Sequence, residues 1–213
     1  MTMTTTLYYA PGAASMLVHW LLIETGEPHQ LHLVDTAAKA QKTPEYLALN
    51  PNGVVPTLLI DGTPHYEAAA MAMLLAECYP QVNLAPAFDD PRRADYLQWM
   101  FNLANMVQPL FRQWWYPHEP AGDASADAVR EHCAARVGAE WQRIDDHLAA
   151  NGPYLLGDAA TIADFYVTML MRWSRGMPKP ATEWPHVAAL AQRMKARPSF
   201  AELYSREGLT EWA

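Results

Sequence analysis

The segment that decides the fold of the first part of the chain is residues 50–67, with the sequence NPNGVVPTLLIDGTPHYE. Residues 54–60 form an apolar, partly β-branched run that predicts a strand. Asp61-Gly62 is a strong two-residue hairpin signal, so residues 64–66 are expected to return as an antiparallel strand. The turn-forming residues 50–53 separate this hairpin from the preceding chain.

The residues before this hairpin alternate between strand and helix patterns. Residues 6–9 predict a strand that stops at Pro11-Gly12, and residues 30–35 predict a second. Between them a helix follows Ser15, which suits an N-cap, and ends at Gly26; it is apolar almost all round and should be buried. Short and long helices are expected at 44–49 and 67–79. A helical crossover implies parallel pairing, so the sheet should be mixed and four-stranded.

The rest of the chain is predicted to be helical. Residues 80–91 are rich in Pro and Asp and read as a linker. Five helices are expected after it, at about 91–116, 125–150, 161–174, 184–196 and 198–206. Thr161 and Asp164 have capping-box spacing before an apolar run. The fold class is therefore α/β followed by all-α, with domains at 4–82 and 91–213.

Composition narrows the range of partners. The net charge is -8, without a block of Lys or Arg, which argues against nucleic acid. No apolar run approaches the ~20 residues of a membrane span, and residues 1–6 carry no signal-peptide pattern. We therefore expect a cytoplasmic protein, with Cys78 and Cys133 as buried thiols rather than a disulfide. We expect no metal site; His29 and His32 should face opposite sides of a strand.

Four stretches in this order resemble the glutathione transferases, most closely the bacterial beta-like type, over nearly the whole chain. They are residues 8–15 (YYAPGAAS), 50–58 (NPNGVVPTL), 66–68 (YEA) and 161–165 (TIADF). The resemblance implies a thioredoxin-like first domain, glutathione as co-substrate and a two-fold homodimer. It also implies conjugation of the glutathione thiolate to a small apolar electrophile.

The resemblance points to a glutathione site in the first domain. It implies a cis bond before Pro56, which would leave the N–H and C=O of Val55 free to pair with an extended tripeptide. The amide of Ala68, at a helix N-terminus, would hold the γ-glutamyl carboxylate, and Glu67 would face the ammonium group. Lys42 is a candidate for the glycyl carboxylate. The alternatives are an ordinary strand-leading proline and a first-turn acid.

The thiolate also needs a stabilising group. Beta-like relatives carry Cys just before the serine, whereas this chain has Ala14, so the prediction falls on the Ser15 hydroxyl together with the helix N-terminus. The alternative is that Ser15 is only an N-cap. Tyr8 and Tyr9 are rival hydroxyls, and strand alternation lets only one of them face the cleft.

The first helix of the second domain should present two faces. A core face is expected at Trp99, Leu103, Met106 and Leu110. The electrophile pocket is predicted from the other face, at Asn105, Gln108, Arg112 and Trp115, with Trp173 from a later helix. Pro109 should kink this helix and free the carbonyl of Asn105. The alternative is that the aromatic run 114–116 is core or dimer packing.

Three departures from the beta-like pattern keep other functions open. Ala14 replaces Cys, Ala68 replaces Ser, and Gln108-Pro109 stands where relatives carry a His-Lys pair. A glutathione-binding protein with little turnover is one alternative, and a specialised glutathione-dependent lyase or isomerase is another. The sequence does not identify the electrophile or the dimer interface.

Overall fold

The computed structural model describes residues 4–212, which divide into two compact units. The first unit runs to Leu84 and also includes Ala196–Glu211; the second is Ala85–Lys195 with Trp212. The strands are β1 Thr5–Tyr9, β2 His29–Leu33, β3 Thr57–Ile60 and β4 Thr63–His65. The helices are α1 Ser15–Thr25, α2 Pro44–Leu49, α3 Ala68–Cys78, α4 Arg93–Asn102, α5 Gln108–Trp115, α6 His118–Ala121, α7 Ala126–Asn151, α8 Ile162–Trp173, α9 Pro185–Lys195 and α10 Pro198–Glu207.

The four strands form one mixed sheet in the order β2-β1-β3-β4. β1 pairs with β2 in parallel and β3 pairs with β4 antiparallel, as the sequence predicts. β3 also pairs antiparallel with β1, which the sequence analysis does not predict. Asp61 and Gly62 both have positive φ, at 48° and 81°, which is the geometry of a tight hairpin turn. The third strand begins at Thr57 rather than at residue 54, so residues 54–56 lie outside the ladder.

Helix α1 is the buried centre of the first unit. Every residue from Ser15 to Leu22 is buried, which confirms the expectation from its apolar sequence. Its N-cap is Ala14, without a side-chain cap, so the prediction that Ser15 is the N-cap is wrong. The predicted burial of Cys78 is also wrong: Cys133 is buried, but Cys78, at the last residue of α3, is exposed.

Helix α10 returns to pack on α1, although the predicted boundaries put it in the second domain. The indole of Trp20 donates to Ser199 at 2.8 Å and packs edge-to-face against Phe200, with ring centroids 5.2 Å apart. Arg197 makes a two-pronged ion pair with Glu24 at 2.8–2.9 Å. A helical pattern does not reveal which unit a helix joins, because these contacts lie far apart along the chain. Ala213, the end of the predicted second domain, lies outside the described residues.

Pro109 changes the helix differently from a simple kink. Because Pro109 has no N–H, the carbonyl of Asn105 loses its usual helical donor. Residues Leu103–Val107 form a π-helical turn between α4 and α5. Gln108 donates to the carbonyl of Leu103, five residues back. The wider turn shifts the face that follows by one position. Met106 is therefore 43% exposed and Val107 is fully buried, so the prediction of Met106 as core is wrong.

The capping box at the start of α8 is present as predicted. The Asp164 carboxylate accepts from the Thr161 N–H at 2.8 Å, the Thr161 hydroxyl at 3.1 Å and the Leu155 N–H at 2.9 Å. Burial raises the pKa of Asp164 to about 6 despite these donors. Within residues 4–212, no helix combines the length and apolar character needed to cross a bilayer.

We expect Asp164→Ala to reduce the free energy of unfolding by about 3 kcal/mol, because two buried amides lose their acceptor at about 1–3 kcal/mol each. Urea denaturation would measure the change. Asp158→Ala is the control, since Asp158 is exposed a few residues away. A loss for Asp164→Ala no larger than that of the control would contradict the structural role given to the carboxylate.

Candidate functional site

Strand register brings the predicted glutathione-binding segments to one end of the sheet. Tyr8 pairs with Thr57, so the residues after β1 lie beside those before β3. Leu58 pairs with His65, so the residues after β4 lie on the other side of the same segment. The loop before α1, the Val55-Pro56 dipeptide and the start of α3 therefore meet at this end.

The backbone of Val55 is free. The Val55-Pro56 peptide bond is cis, as the resemblance implies. Among residues 4–212, neither the N–H nor the C=O of Val55 has a hydrogen-bond partner, and the residue is half-buried. An extended peptide can pair with such groups in the way that a strand is added to a sheet edge.

The start of α3 offers unpaired amides beside an exposed carboxylate. Within the described chain, the N–H groups of Ala68, Ala69 and Ala70 lack acceptors. Glu67, the N-cap, has φ 72° and ψ 105°, and its exposed carboxylate has no ion-pair partner in residues 4–212. A non-glycine residue held at such an angle costs of order 1–3 kcal/mol, and such strain clusters at ligand sites.

The Ser15 hydroxyl is fully buried and already bonded. It donates to the carbonyl of Ala10 at 3.0 Å and accepts from the N–H of Ala10 at 3.2 Å. Its single proton is therefore used by the backbone. The N–H groups of Ala14 and Ser15 have no acceptor within residues 4–212, so the start of α1 presents amides rather than a hydroxyl.

Tyr8 and Tyr9 lie on opposite faces of β1. The Tyr8 ring lies 4.4 Å from His32 and 6.0 Å from Tyr46, measured between centroids. The Tyr9 ring lies 5.7 Å from His19 of α1. Neither hydroxyl has a hydrogen-bond partner in the described part of the chain. Tyr9, which packs toward α1, is therefore the stronger of the two alternatives near the α1 N-terminus.

Lys42 ends the short 3-10 turn Ala40–Lys42, and its side chain reaches the turn that precedes Val55. Its ammonium group is 3.4 Å from the carbonyl oxygen of Asn52 and closely approaches Gly53, where an added Cβ would lie 2.9 Å from Nζ. The ammonium group has no carboxylate partner among residues 4–212. The prediction that Lys42 reaches a glycyl carboxylate remains a prediction, and its ammonium group lies beside the turn that precedes Val55.

Sequence reasoning missed a buried link from α10 to the loop before α1. Glu207 accepts from the N–H of Gly12 at 2.7 Å and bonds Nδ1 of His19 at 2.8 Å. Both side chains are fully buried, and Nε2 of His19 is buried without a partner within the described chain. The available signal was a histidine in an otherwise apolar helix, since a buried polar group requires a partner.

The predicted electrophile residues, all in the second unit, are only partly available. Gln108 accepts from the Tyr166 hydroxyl, and Arg112 binds Glu119 through two nitrogens at 2.5–2.9 Å. Trp173 packs edge-on against Phe111. Asn105 and Trp115 are exposed. Three aromatic side chains, Phe101, Trp115 and Tyr116, are also exposed here, and the Arg112 guanidinium lies over the Tyr116 ring.

Two further observations concern cavities and metal ligands. A cavity of about 250 Å³ in the second unit is lined by residues of α7, Met177–Lys179 and Trp184, none of which is a predicted site residue. In residues 4–212 there is no group of three or more His, Cys, Asp or Glu side chains arranged to hold a metal ion.

The structure defines a thioredoxin-like domain with unpaired backbone groups at one end of its sheet, followed by a helical unit. Residues 14–78 match the family description "Glutathione S-transferase, N-terminal domain", and residues 104–206 match "Glutathione S-transferase, C-terminal domain". The chain belongs to the glutathione S-transferase family, and this membership supports a transferase.

Known proteins are similar to this chain over three quarters of its length or more. The chain is 30% identical to glutathione S-transferase GstA of Escherichia coli O157:H7, covering 95% of this chain and 98% of that protein. It is 34% identical to maleylacetoacetate isomerase of Rhizobium meliloti, covering 75% and 76%. A Sulfitobacter glutathione transferase homologue, solved with bound glutathione, has a TM-score of 0.89 at 29% identity, covering 99% and 100%.

We expect Glu207→Ala to lower the free energy of unfolding by about 3 kcal/mol or more, because it removes the buried carboxylate that bonds the His19 ring. Chemical denaturation would measure this change. Glu202→Ala, on the exposed side of the same helix, removes only a surface ion pair with Arg206 and should cost less than about 1 kcal/mol. Equal losses for both variants would refute the role of Glu207.

Proposed function

We propose that the first unit binds glutathione across the end of the sheet and that the protein conjugates its thiolate to a small apolar electrophile. The observation that carries this proposal is the unpaired N–H and C=O of Val55 at the same end of the sheet as the unpaired amides of α3. An extended peptide with an anionic end matches both features.

The γ-glutamyl end of glutathione fits the start of α3. Its carboxylate would accept from the amides of Ala68 and its neighbours, where the helix dipole favours negative charge. Its ammonium group would pair with the exposed Glu67 carboxylate. Ala68 lacks the hydroxyl that many relatives place here, which removes about 1 kcal/mol of binding. The Sulfitobacter glutathione transferase homologue, which was solved with bound glutathione, supports this choice of ligand.

The thiolate would be stabilised by the start of α1. A thiol has a pKa of about 8.5, so a drop of about two units would ionise most of it at neutral pH, at a cost of about 2.7 kcal/mol. A hydrogen bond to a charged group contributes about 1.5–3 kcal/mol, and a helix N-terminus adds about 0.3–1 kcal/mol. Ser15 therefore enters the proposal through its N–H, because its hydroxyl proton is bonded to Ala10.

The electrophile would contact the exposed aromatic surface of the second unit. Phe101, Trp115 and Tyr116 offer apolar area, and Asn105 offers a polar group beside it. Once the thiolate forms, attack on an electrophilic carbon needs orientation and exclusion of water rather than a further base. A homodimer in the cytoplasm is part of the same proposal, on the strength of the family.

An isomerase is the second candidate, because the chain resembles the maleylacetoacetate isomerase of Rhizobium meliloti over 166 residues. In that reaction class glutathione adds and leaves again, so it acts as a cofactor. Turnover of a panel of aryl halides, epoxides, enones and conjugated cis-diacids separates the two. Net consumption of glutathione supports conjugation; double-bond isomerisation without consumption supports the second candidate.

We expect the protein to be retained on immobilised glutathione. Glu67→Gln should raise the dissociation constant for glutathione about ten-fold or more, since it removes the charged partner of the ammonium group. Isothermal titration calorimetry would give both constants. Glu77→Gln, an equal charge change at the other end of α3, should leave the constant unchanged. Failure of the unaltered protein to bind glutathione would defeat the proposal.

We expect Ser15→Ala to leave the pKa of bound glutathione within about 0.3 units of the unaltered protein, because the Ser15 hydroxyl proton is bonded to Ala10. Tyr9→Phe should do the same if the α1 amides carry the stabilisation. The measurement is a titration of thiolate absorbance in the ultraviolet. A rise of one unit or more in either variant would transfer the role to that hydroxyl.

A further inference from the structure

The carbonyl of Val54 is held from inside the first unit by two side chains. The Tyr46 hydroxyl donates to it at 2.8 Å, and Nδ2 of Asn50 donates at 2.9 Å. Tyr46 lies on α2, and Asn50 follows the end of that helix. Both bonds therefore hold the residue that immediately precedes the free Val55 backbone.

Because the peptide group is planar, holding the Val54 carbonyl also fixes the direction of the Val55 N–H. The Val54 C=O and the Val55 N–H belong to one trans peptide unit, in which the two groups point in opposite directions. Because the carbonyl points inward to Tyr46 and Asn50, the N–H points away from them. The direction of the Val55 donor is therefore set by side chains that a bound tripeptide need not touch.

The two side chains are themselves fixed. Asn50 is fully buried, and its Oδ1 accepts from the N–H of Asn52 at 3.1 Å. Tyr46 is 5% exposed, and its hydroxyl oxygen lies 2.9 Å from Oγ1 of the buried Thr57, which can donate to it. Burial raises the pKa of Tyr46, so the hydroxyl keeps the proton that it donates to Val54.

We propose that Tyr46 and Asn50 are positioning residues that aim the Val55 N–H at the backbone of bound glutathione. The inference rests on the proposed function, since it assumes that glutathione pairs with Val55. Thr57 supports the same arrangement through the Tyr46 hydroxyl. Loss of the Tyr46 bond leaves the Val54 carbonyl with one anchor and lets the peptide unit rotate, so binding must then fix it.

The test is Tyr46→Phe, which removes one hydroxyl and keeps the ring. We expect the dissociation constant for glutathione, measured by calorimetry, to rise about five-fold. With any electrophile that the unaltered protein turns over, KM for glutathione should rise by the same factor while kcat at saturating glutathione is unchanged. A purely structural role would lower the unfolding temperature without moving either binding value.

Two further variants sharpen the experiment. Thr57→Val, of similar shape, should weaken binding about two-fold alone and add nothing in the Tyr46→Phe background, because Thr57 acts through Tyr46. Tyr79→Phe is the matched control. Tyr79 is also buried in the first unit, at the other end of α3, and its hydroxyl has no hydrogen-bond partner among residues 4–212.

The outcomes separate the two proposals. If the unaltered protein does not bind glutathione, the proposed function fails and this inference falls with it. If it binds and Tyr46→Phe binds equally well, or if the Thr57→Val effect persists in full without the Tyr46 hydroxyl, only the positioning role is overturned. Weakening by Tyr46→Phe, absent in Tyr79→Phe, supports it.

Discussion

Antiparallel pairing of β3 with β1 on one side and β4 on the other is the interaction on which the candidate site depends. This pairing brings the chain after β1, before β3 and after β4 to one end of the sheet. Each segment has backbone groups at this end that make no ladder hydrogen bonds. Before β3, this is because the ladder starts at Thr57. The site is therefore built mostly from main-chain donors and acceptors, which most side-chain changes leave in place.

Buried polar side chains hold these backbone groups in place. Tyr46 and Asn50 fix the Val54 carbonyl, and Glu207 holds the Gly12 turn from α10. Groups of this kind are costly to bury unless they are bonded, and once bonded they favour one arrangement of the loop. The first unit thus needs the last helix of the chain, which supplies Glu207, to complete the loop before α1.

Local patterns predicted the parts of the fold that depend on neighbouring residues. The order of the elements, the hairpin at Asp61-Gly62, the apolar run of α1 and the Thr161–Asp164 capping box were all recoverable, because each rests on residues close together in the chain. Met106 was placed wrongly because Pro109 induces a π-helical turn that no 3.6-residue period anticipates. The Ser15 hydroxyl was predicted to stabilise the thiolate from its position in the chain alone, whereas the structure shows it donating to the carbonyl of Ala10.

By itself, the sequence determined the order of the elements, and its resemblance to the glutathione transferases pointed to Val55, Pro56, Glu67 and Ala68 as candidate site residues. Turn formers and apolar periodicity act through the local chain, so they can be read without coordinates. Only the tertiary structure decided which polar groups remain free. The Ser15 hydroxyl donates to the carbonyl of Ala10, and Gln108 accepts from the Tyr166 hydroxyl. Glu207 accepts from the Gly12 N–H in the loop before α1. These outcomes depend on hydrogen bonds and packing whose partners are fixed only when the chain is folded.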